Sequence, residues 1–224
     1  MDKRYSCVLF DLDGTLTDPY EGITRSVAFA LARFGIEVED RRALSYFIGP
    51  PLRESFKNYD GIGAERAEEA VEAYREYFSS RGIFENRLYD GVTEMLASLK
   101  DKGVRILLAT SKPEVFAKRI TEHFRVDGYF YDQCGADLGA KYDTKGKVIA
   151  RALKICGMPH SEVLMVGDRL HDIVGAKENG IDSAGVLWGY SSGDELSAAG
   201  AEYVFESMEE FSRAILDLTH APKN

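Results

Sequence analysis

A short apolar run that ends abruptly in charge limits this chain more than any other feature. Cys7-Val8-Leu9-Phe10 is followed at once by Asp11-Leu12-Asp13-Gly14-Thr15. Four apolar residues are too few for a helix core, and turn residues close the run, so a buried strand is expected. Asp11 then marks its C-terminal end. In open parallel α/β sheets ligands bind at that edge, where the loops leaving the strands form a crevice. Carboxylates at i and i+2 of an extended segment project to one side, where they repel one another unless a hard cation with oxygen ligands neutralises them. Gly14 lets the backbone turn without a Cβ clash, and Thr15 offers a hydroxyl. With each residue type about a one-in-twenty choice, Asp-x-Asp-Gly-Thr arises by chance in about one chain in a thousand of this length. A plain acidic turn is therefore the weaker explanation.

The 224 residues suit one domain with an insert or two small domains. Apolar content of 45% and aromatic content of 11% argue against disorder. A net charge of -9 disfavours a sequence-independent grip on nucleic acid or an anionic membrane, which needs clustered Lys and Arg. It leaves small anionic substrates open, because a metal reverses the field locally. Cys7, Cys134 and Cys156 form no C-x-x-C pair and are expected to be reduced thiols of a cytoplasmic protein. The four histidines lack a zinc-like spacing. The start, Asp2-Lys-Arg-Tyr with an apolar run ending at Asp11, is unlike a signal peptide, and no stretch is long enough to span a membrane.

From Asp18 to Arg81 the pattern is amphipathic helix. Ile23, Val27, Leu31 and Phe34 fall at helical spacing before Gly35, as do Ala67, Ala70, Val71, Tyr74, Tyr77 and Phe78 before Gly82. Such stripes form core. Ile48-Gly49-Pro50-Pro51-Leu52-Arg53 interrupts them as a corner or a substrate-facing loop, with Arg53 a candidate anion contact. Beyond Gly82 strand and helix alternate: helix over Val92–Leu99, strand over Val104–Ala109 ending in Thr110-Ser111-Lys112-Pro113, and helix over Glu114–Phe124. One or two short strands follow in Val126–Ala136. Asp143-Thr144 can cap a helix from Lys145 to about Ile155. A strand over Val163–Val166 ends in Gly167-Asp168, a short helix covers Ile173–Asn179, and a strand through Gly185–Trp188 precedes a last helix over Met208–Leu218. Pro222-Lys-Asn224 reads as a loose tail. The alternation predicts an α/β fold: a doubly wound parallel sheet with helices on both faces and a helical block inserted after its first strand.

Three strand ends thus carry polar residues: Asp11 and Asp13, Thr110, and Asp168 with Asp172. A turn aspartate and an N-cap would account for the last pair alone; recurrence at one sheet edge gives the set its weight. In this arrangement the sequence resembles the haloacid dehalogenase superfamily, specifically its phosphoglycolate-phosphatase-like branch with a helical cap of the C1 type. The resemblance covers essentially the whole chain. Asp11-Leu12-Asp13-Gly14-Thr15 is similar to the first motif of that family, Thr110 to the second, Lys145 to the third and Gly167-Asp168-Arg169-Leu170-His171-Asp172 to the fourth. Lys145 is preferred over Lys141 and Lys147 because Tyr-Asp-Thr-Lys before a helix resembles the family's form.

The resemblance implies a Rossmann-like core over residues 1–17 and 83–224 and a cap over 18–82. It implies a phosphatase acting on small phosphomonoesters, with Asp11 as nucleophile through an aspartyl-phosphate and Asp13 as general acid and base. Mg²⁺ would be held by Asp11, the backbone carbonyl of Asp13 and Asp168, with Asp172 farther out. Thr110 and Lys145 would hold the phosphoryl oxygens, and Ser111, Lys112 and Arg53 are candidate substrate contacts. Dehalogenases of this fold lack the second aspartate, so Asp13 points to phosphoryl chemistry. β-Phosphoglucomutases usually follow the aspartates with Gly-Val, and this chain has Gly14-Thr15. A 5′-nucleotidase, a pyrophosphatase or a receiver-like phosphoacceptor module are further alternatives; the insert and Asp13 favour turnover over the module. The expected partner is a small phosphorylated metabolite, without nucleic acid or membrane. Cap closure needs no second subunit, so both monomer and homodimer are compatible.

Overall fold

β1, Cys7–Phe10, has all four side chains buried. It lies inside a parallel sheet of strand order β5 (Asp132–Ala136), β4 (Arg105–Pro113), β1, β6 (Val163–Gly167), β7 (Asp182–Val186), β8 (Tyr203–Phe205), which is why its sequence is continuously apolar and does not alternate. The structure, a computed structural model, describes residues 4–137, 142, 144–191 and 193–222. Lys141 and Asp143 lie outside these residues, as do Asp2, Lys3 and the tail residues Lys223 and Asn224.

The chain forms two units, Met1–Thr17 with Leu88–Asn224, and Asp18–Arg87. The short strands β2 (Thr17–Asp18) and β3 (Arg87–Leu88) carry the chain out of the first unit and back. Within the second unit lie helices α1 (Tyr20–Ala32), α2 (Leu52–Lys57) and α3 (Gly63–Phe78). Of the two stripes, Ile23, Val27, Leu31, Ala67, Ala70, Val71, Tyr74 and Phe78 are buried, whereas Phe34 lies beyond the end of α1 and Tyr77 is half-buried. This unit runs to Arg87: after the 3-10 turn Gly82–Phe84 the Glu85 carbonyl accepts from the Gly22 N–H of α1 at 2.9 Å, and Gly22 and Gly82 pack so closely that neither could carry a Cβ.

In the first unit the chain continues through α4 (Val92–Asp101), β4 (Arg105–Pro113), α5 (Glu114–His123) and β5 (Asp132–Ala136). Then follow α6 (Lys145–Cys156), β6 (Val163–Gly167), α7 (Leu170–Glu178), β7 (Asp182–Val186), α8 (Gly193–Ala199), β8 (Tyr203–Phe205) and α9 (Met208–Leu218). β1 pairs in register with β4 and β6, Leu9 opposite Leu107 and Met165. Cys7 and Leu9 join Leu107, Ala109, Val163 and Met165 in a core with Val148, Ile149, Ala152 and Cys156 of α6. The alternate residue Phe10 meets Phe211 of α9 edge-on, at 6.1 Å between ring centroids. Helices therefore cover both faces, as the alternation of α and β segments requires. All three cysteines are buried and free.

The sequence places most elements, with four shifts; β4, expected over Val104–Ala109, continues to Pro113. The strand expected through Gly185–Trp188 lies at Asp182–Val186, the segment Val126–Ala136 holds a single strand after a 3-10 turn at Asp127–Tyr129, and the helix expected from Ile173 begins at Leu170. α8 and β8 were not anticipated.

Candidate active site

Asp11 leaves the sheet at the end of β1, its backbone N–H still donating to the Val166 carbonyl of β6 at 2.9 Å. A tight turn follows, in which the Leu12 carbonyl accepts from Leu16 and Thr17, both at 2.9 Å. Gly14 takes φ +86°, and a Cβ on it would lie 2.2 Å from an Asp168 carboxylate oxygen. Only glycine satisfies both the left-handed backbone and that approach.

Asp168 follows β6 and is fully buried. Its carboxylate accepts from the backbone N–H of Tyr190 at 2.8 Å and from the Thr15 hydroxyl at 3.3 Å. A Cβ on Gly189 would also strike it, at 2.4 Å. Asp172 sits in the first turn of α7, where a carboxylate suits the positive end of the helix dipole. It accepts from the Arg169 backbone N–H at 3.0 Å, so the capping role that composition alone allows is real. Its other oxygen faces Lys145.

Lys145 is the first residue of α6, a place where the helix dipole disfavours a cation and where its burial needs other partners. They are at hand. Nζ stands 2.8 Å from Asp11 and 2.7 Å from Asp172, and donates to the Ala109 carbonyl at 3.0 Å. Thr144 caps the helix beneath it by accepting from the Lys147 N–H. Burial alone would favour the neutral amine, but Asp11 and Asp172 outweigh it and hold Lys145 above its ordinary value.

Asp11, Asp168 and Asp172 bring carboxylate oxygens within 4.8 Å of one another, all buried. Burial, and then repulsion from Asp172 and Asp11, push Asp168 well above the usual carboxylate range. Burial likewise raises Asp172, to about 6, against the pull of Lys145. With Asp13, four buried carboxylates face two buried ammonium groups, Lys112 and Lys145, a formal excess of two negative charges. A hard divalent cation fits both that excess and the all-oxygen donor set.

A family model described as haloacid dehalogenase-like hydrolase matches residues 8–186. The chain belongs to that family. It is 48% identical over 195 residues to a protein of Pseudomonas aeruginosa named 5′-nucleotidase, covering 87% of this chain and 88% of that one. It is also 42% identical over 197 residues to the tyrosine-protein kinase PtkA of Mycobacterium tuberculosis, covering 88% and 67%. The solved structure of a predicted phosphatase from Clostridium acetobutylicum shares 46% identity and superposes with a TM-score of 0.92 over 96% of this chain and 100% of that one. Among haloacid dehalogenase-like hydrolases, this chain is a phosphatase.

The sequence-derived residues of this hydrolase are distributed unevenly. Asp11, Asp13, Thr110, Lys112, Lys145, Asp168 and Asp172 are all buried in the α/β unit. The Asp13 carboxylate stands outside the acidic cluster and accepts from Lys112 at 2.5 Å. Burial raises its proton affinity and Lys112 opposes that rise. Lys112, a candidate substrate contact, reaches Asp13. Thr110 Oγ1 accepts from the Lys112 backbone N–H at 3.2 Å, and Ser111 is half-buried between them. Arg53 lies in the helical unit, its guanidinium 2.5 Å from Glu68. Sequence reasoning missed the segment after β7, which holds Asp168 through the Tyr190 N–H and ties the first turn down through the Trp188 indole, 3.0 Å from the Thr15 carbonyl. Its one signal was position: Trp188-Gly189-Tyr190 follows a strand on the same sheet edge. Among the described residues no helix is long and apolar enough to cross a membrane.

Proposed function

We propose that this phosphatase hydrolyses small-molecule phosphomonoesters, phosphoglycolate-phosphatase-like, through an aspartyl-phosphate on Asp11. The observation that carries the reading is Asp11 at the end of β1, ion-paired to Lys145 and clustered with Asp168 and Asp172, with Asp13 one residue removed. Asp11 attacks phosphorus and the ester oxygen departs, so one hard displacement becomes two easier ones. Asp13 gives the leaving oxygen its proton and later takes one from the attacking water, help worth ~10²–10⁴ in rate. Lys145 and Thr110 hold the phosphoryl oxygens where charge concentrates.

Asp11, Asp168 and the Asp13 carbonyl would hold the metal, with Asp172 behind them. Mg²⁺ bound there supplies charge neutralisation that lets an anionic carboxylate approach an anionic ester. The helical unit, Asp18–Arg87, serves as the cap that selects the leaving group, with Arg53 and Ser111 as substrate contacts, in a cytoplasmic monomer or homodimer. A second, narrower reading is a 5′-nucleotidase, favoured by the 48% identity to the protein of that name.

The test is phosphate release over a panel of phosphoglycolate, sugar phosphates, nucleoside 5′-monophosphates and pyrophosphate, with and without chelator. Metal-dependent steady-state turnover of a monoester supports the proposal. A single stoichiometric burst favours a phosphoacceptor module, and turnover of pyrophosphate alone overturns the monoester reading.

A further inference from the structure

β4 and β5 lose register beside the site. Thr110 pairs with Gly135 and Pro113 pairs with Ala136, so β4 spends three positions while β5 advances one. The extra residues, Ser111 and Lys112, form a bulge, a device that re-aims a side chain. Gly135 makes the bulge possible: a Cβ there would lie 2.7 Å from the Lys112 carbonyl and 2.5 Å from Glu114 Cα. Thr110 Oγ1 secures the bulge by accepting from the Lys112 N–H. The ammonium thereby reaches Asp13 Oδ2 at 2.5 Å, with side-chain exposure of 5% for the lysine and 10% for the aspartate. Asp13 Oδ1 is buried and, among the described residues, accepts no hydrogen bond.

We propose that Lys112 is a positioning residue: its ammonium fixes the Asp13 carboxylate through Oδ2 and leaves Oδ1 as the oxygen that carries the proton to and from the reacting groups. The inference rests on the reading of Asp13 as the acid–base group. In the first displacement the P–O electron pair passes to the ester oxygen, which takes the proton from Oδ1. In the second, Oδ1 takes a proton from water as the water oxygen bonds to phosphorus and the Asp11–phosphorus bond breaks. A carboxylate free to rotate would reach either position only part of the time.

Leaving-group dependence tests this directly. kcat/KM covers the steps through departure of the leaving group, and p-nitrophenolate departs without a proton whereas an alkoxide does not. kcat/KM is measured for p-nitrophenyl phosphate and for the best alkyl phosphomonoester of the panel, in wild type, Lys112→Met, Lys112→Arg, Asp13→Asn and the double variant Asp13→Asn/Lys112→Met. The aryl-to-alkyl ratio is expected to rise ~10²-fold in Lys112→Met and in Asp13→Asn, with partial recovery in Lys112→Arg. The double variant should match Asp13→Asn for both esters. If Lys112→Met lowers both esters by one common factor while Asp13→Asn raises the ratio, Lys112 contacts phosphate or only supports the fold, and the inference alone fails. An unchanged ratio in Asp13→Asn removes the acid–base reading itself. Should Lys112→Met not fold, a double variant that falls below Asp13→Asn by a common factor for both esters overturns the inference equally.

Discussion

A cluster of buried charges sets one of the two units apart. In the helical unit ion pairs such as Arg33 with Glu76 and Arg53 with Glu68 have both partners at least half exposed, over a core of aromatic side chains such as Phe47, Phe56, Tyr74 and Phe78. In the α/β unit Asp11, Asp13, Asp168, Asp172, Lys112 and Lys145 are buried within reach of one another. Exposed pairs contribute little to stability because water and salt screen them. Buried like charges cost free energy, and a fold retains them where they do chemistry. The buried cluster is why the proposed chemistry is assigned to the α/β unit.

The comparison breaks most sharply at Asp11. Asp11→Asn should lower turnover by on the order of 10³-fold or more with the fold intact by circular dichroism; substantial residual activity would falsify its assignment as nucleophile. Lys145→Met comes next. It removes the cation between Asp11 and Asp172 and should cost ~10²–10³-fold in kcat together with ~3–5 kcal/mol of stability, read from urea unfolding. An unchanged midpoint would mean that the buried carboxylates are compensated elsewhere. Asp168→Ala should raise the Mg²⁺ concentration needed for half-maximal activity at least ~10-fold, and a superimposable metal titration would misplace the ion.

Smaller effects concern stability and pH. Asp172 has a folded-state pKa raised to about 6 from an ordinary 3.8, so the folded chain holds that proton more tightly than the unfolded one. The associated stability is present at low pH and is lost as pH rises through about 6. Chelated protein should therefore carry a penalty at pH 7 that is lighter at pH 5, and Mg²⁺ should raise Tm more at pH 7; an equal gain at both values would count against the cluster as the ion's site. Smallest of all is Arg33→Ala, in the exposed pair of the helical unit, which should move Tm by no more than about 3 °C.

What the sequence made legible follows from local physics. β1, β6 and α9 were readable because an apolar run or a helical period ends at a turn or cap within a few residues. β7 was placed three residues too late, since Asp182-Ser183-Ala184-Gly185 has no apolar pattern to mark its start. It is a strand because β6 and β8 pair with it on either side, and because α8 packs Leu196 so close to Gly185 that a Cβ there would be 2.8 Å away. Tertiary context overrode propensity. The same limit hid the partner of Lys112. Residues 99 apart in sequence meet only because the β4 bulge turns the lysine toward Asp13, and no spacing rule announces a shift of register. Asp11, Lys145 and Asp168 were found because each stands at a strand end or helix start that the alternation of elements already marked.

In the proposed reaction Asp11 carries the phosphoryl group. Wild-type enzyme quenched in acid during turnover of its best ester, then reduced with borohydride and digested, reports the phosphorylated residue by mass spectrometry. The modification is expected on Asp11 and absent from Asp11→Asn. Continued turnover with the mark on another residue, or with no covalent intermediate under conditions that trap it in a known aspartyl-phosphate enzyme, would contradict the claim.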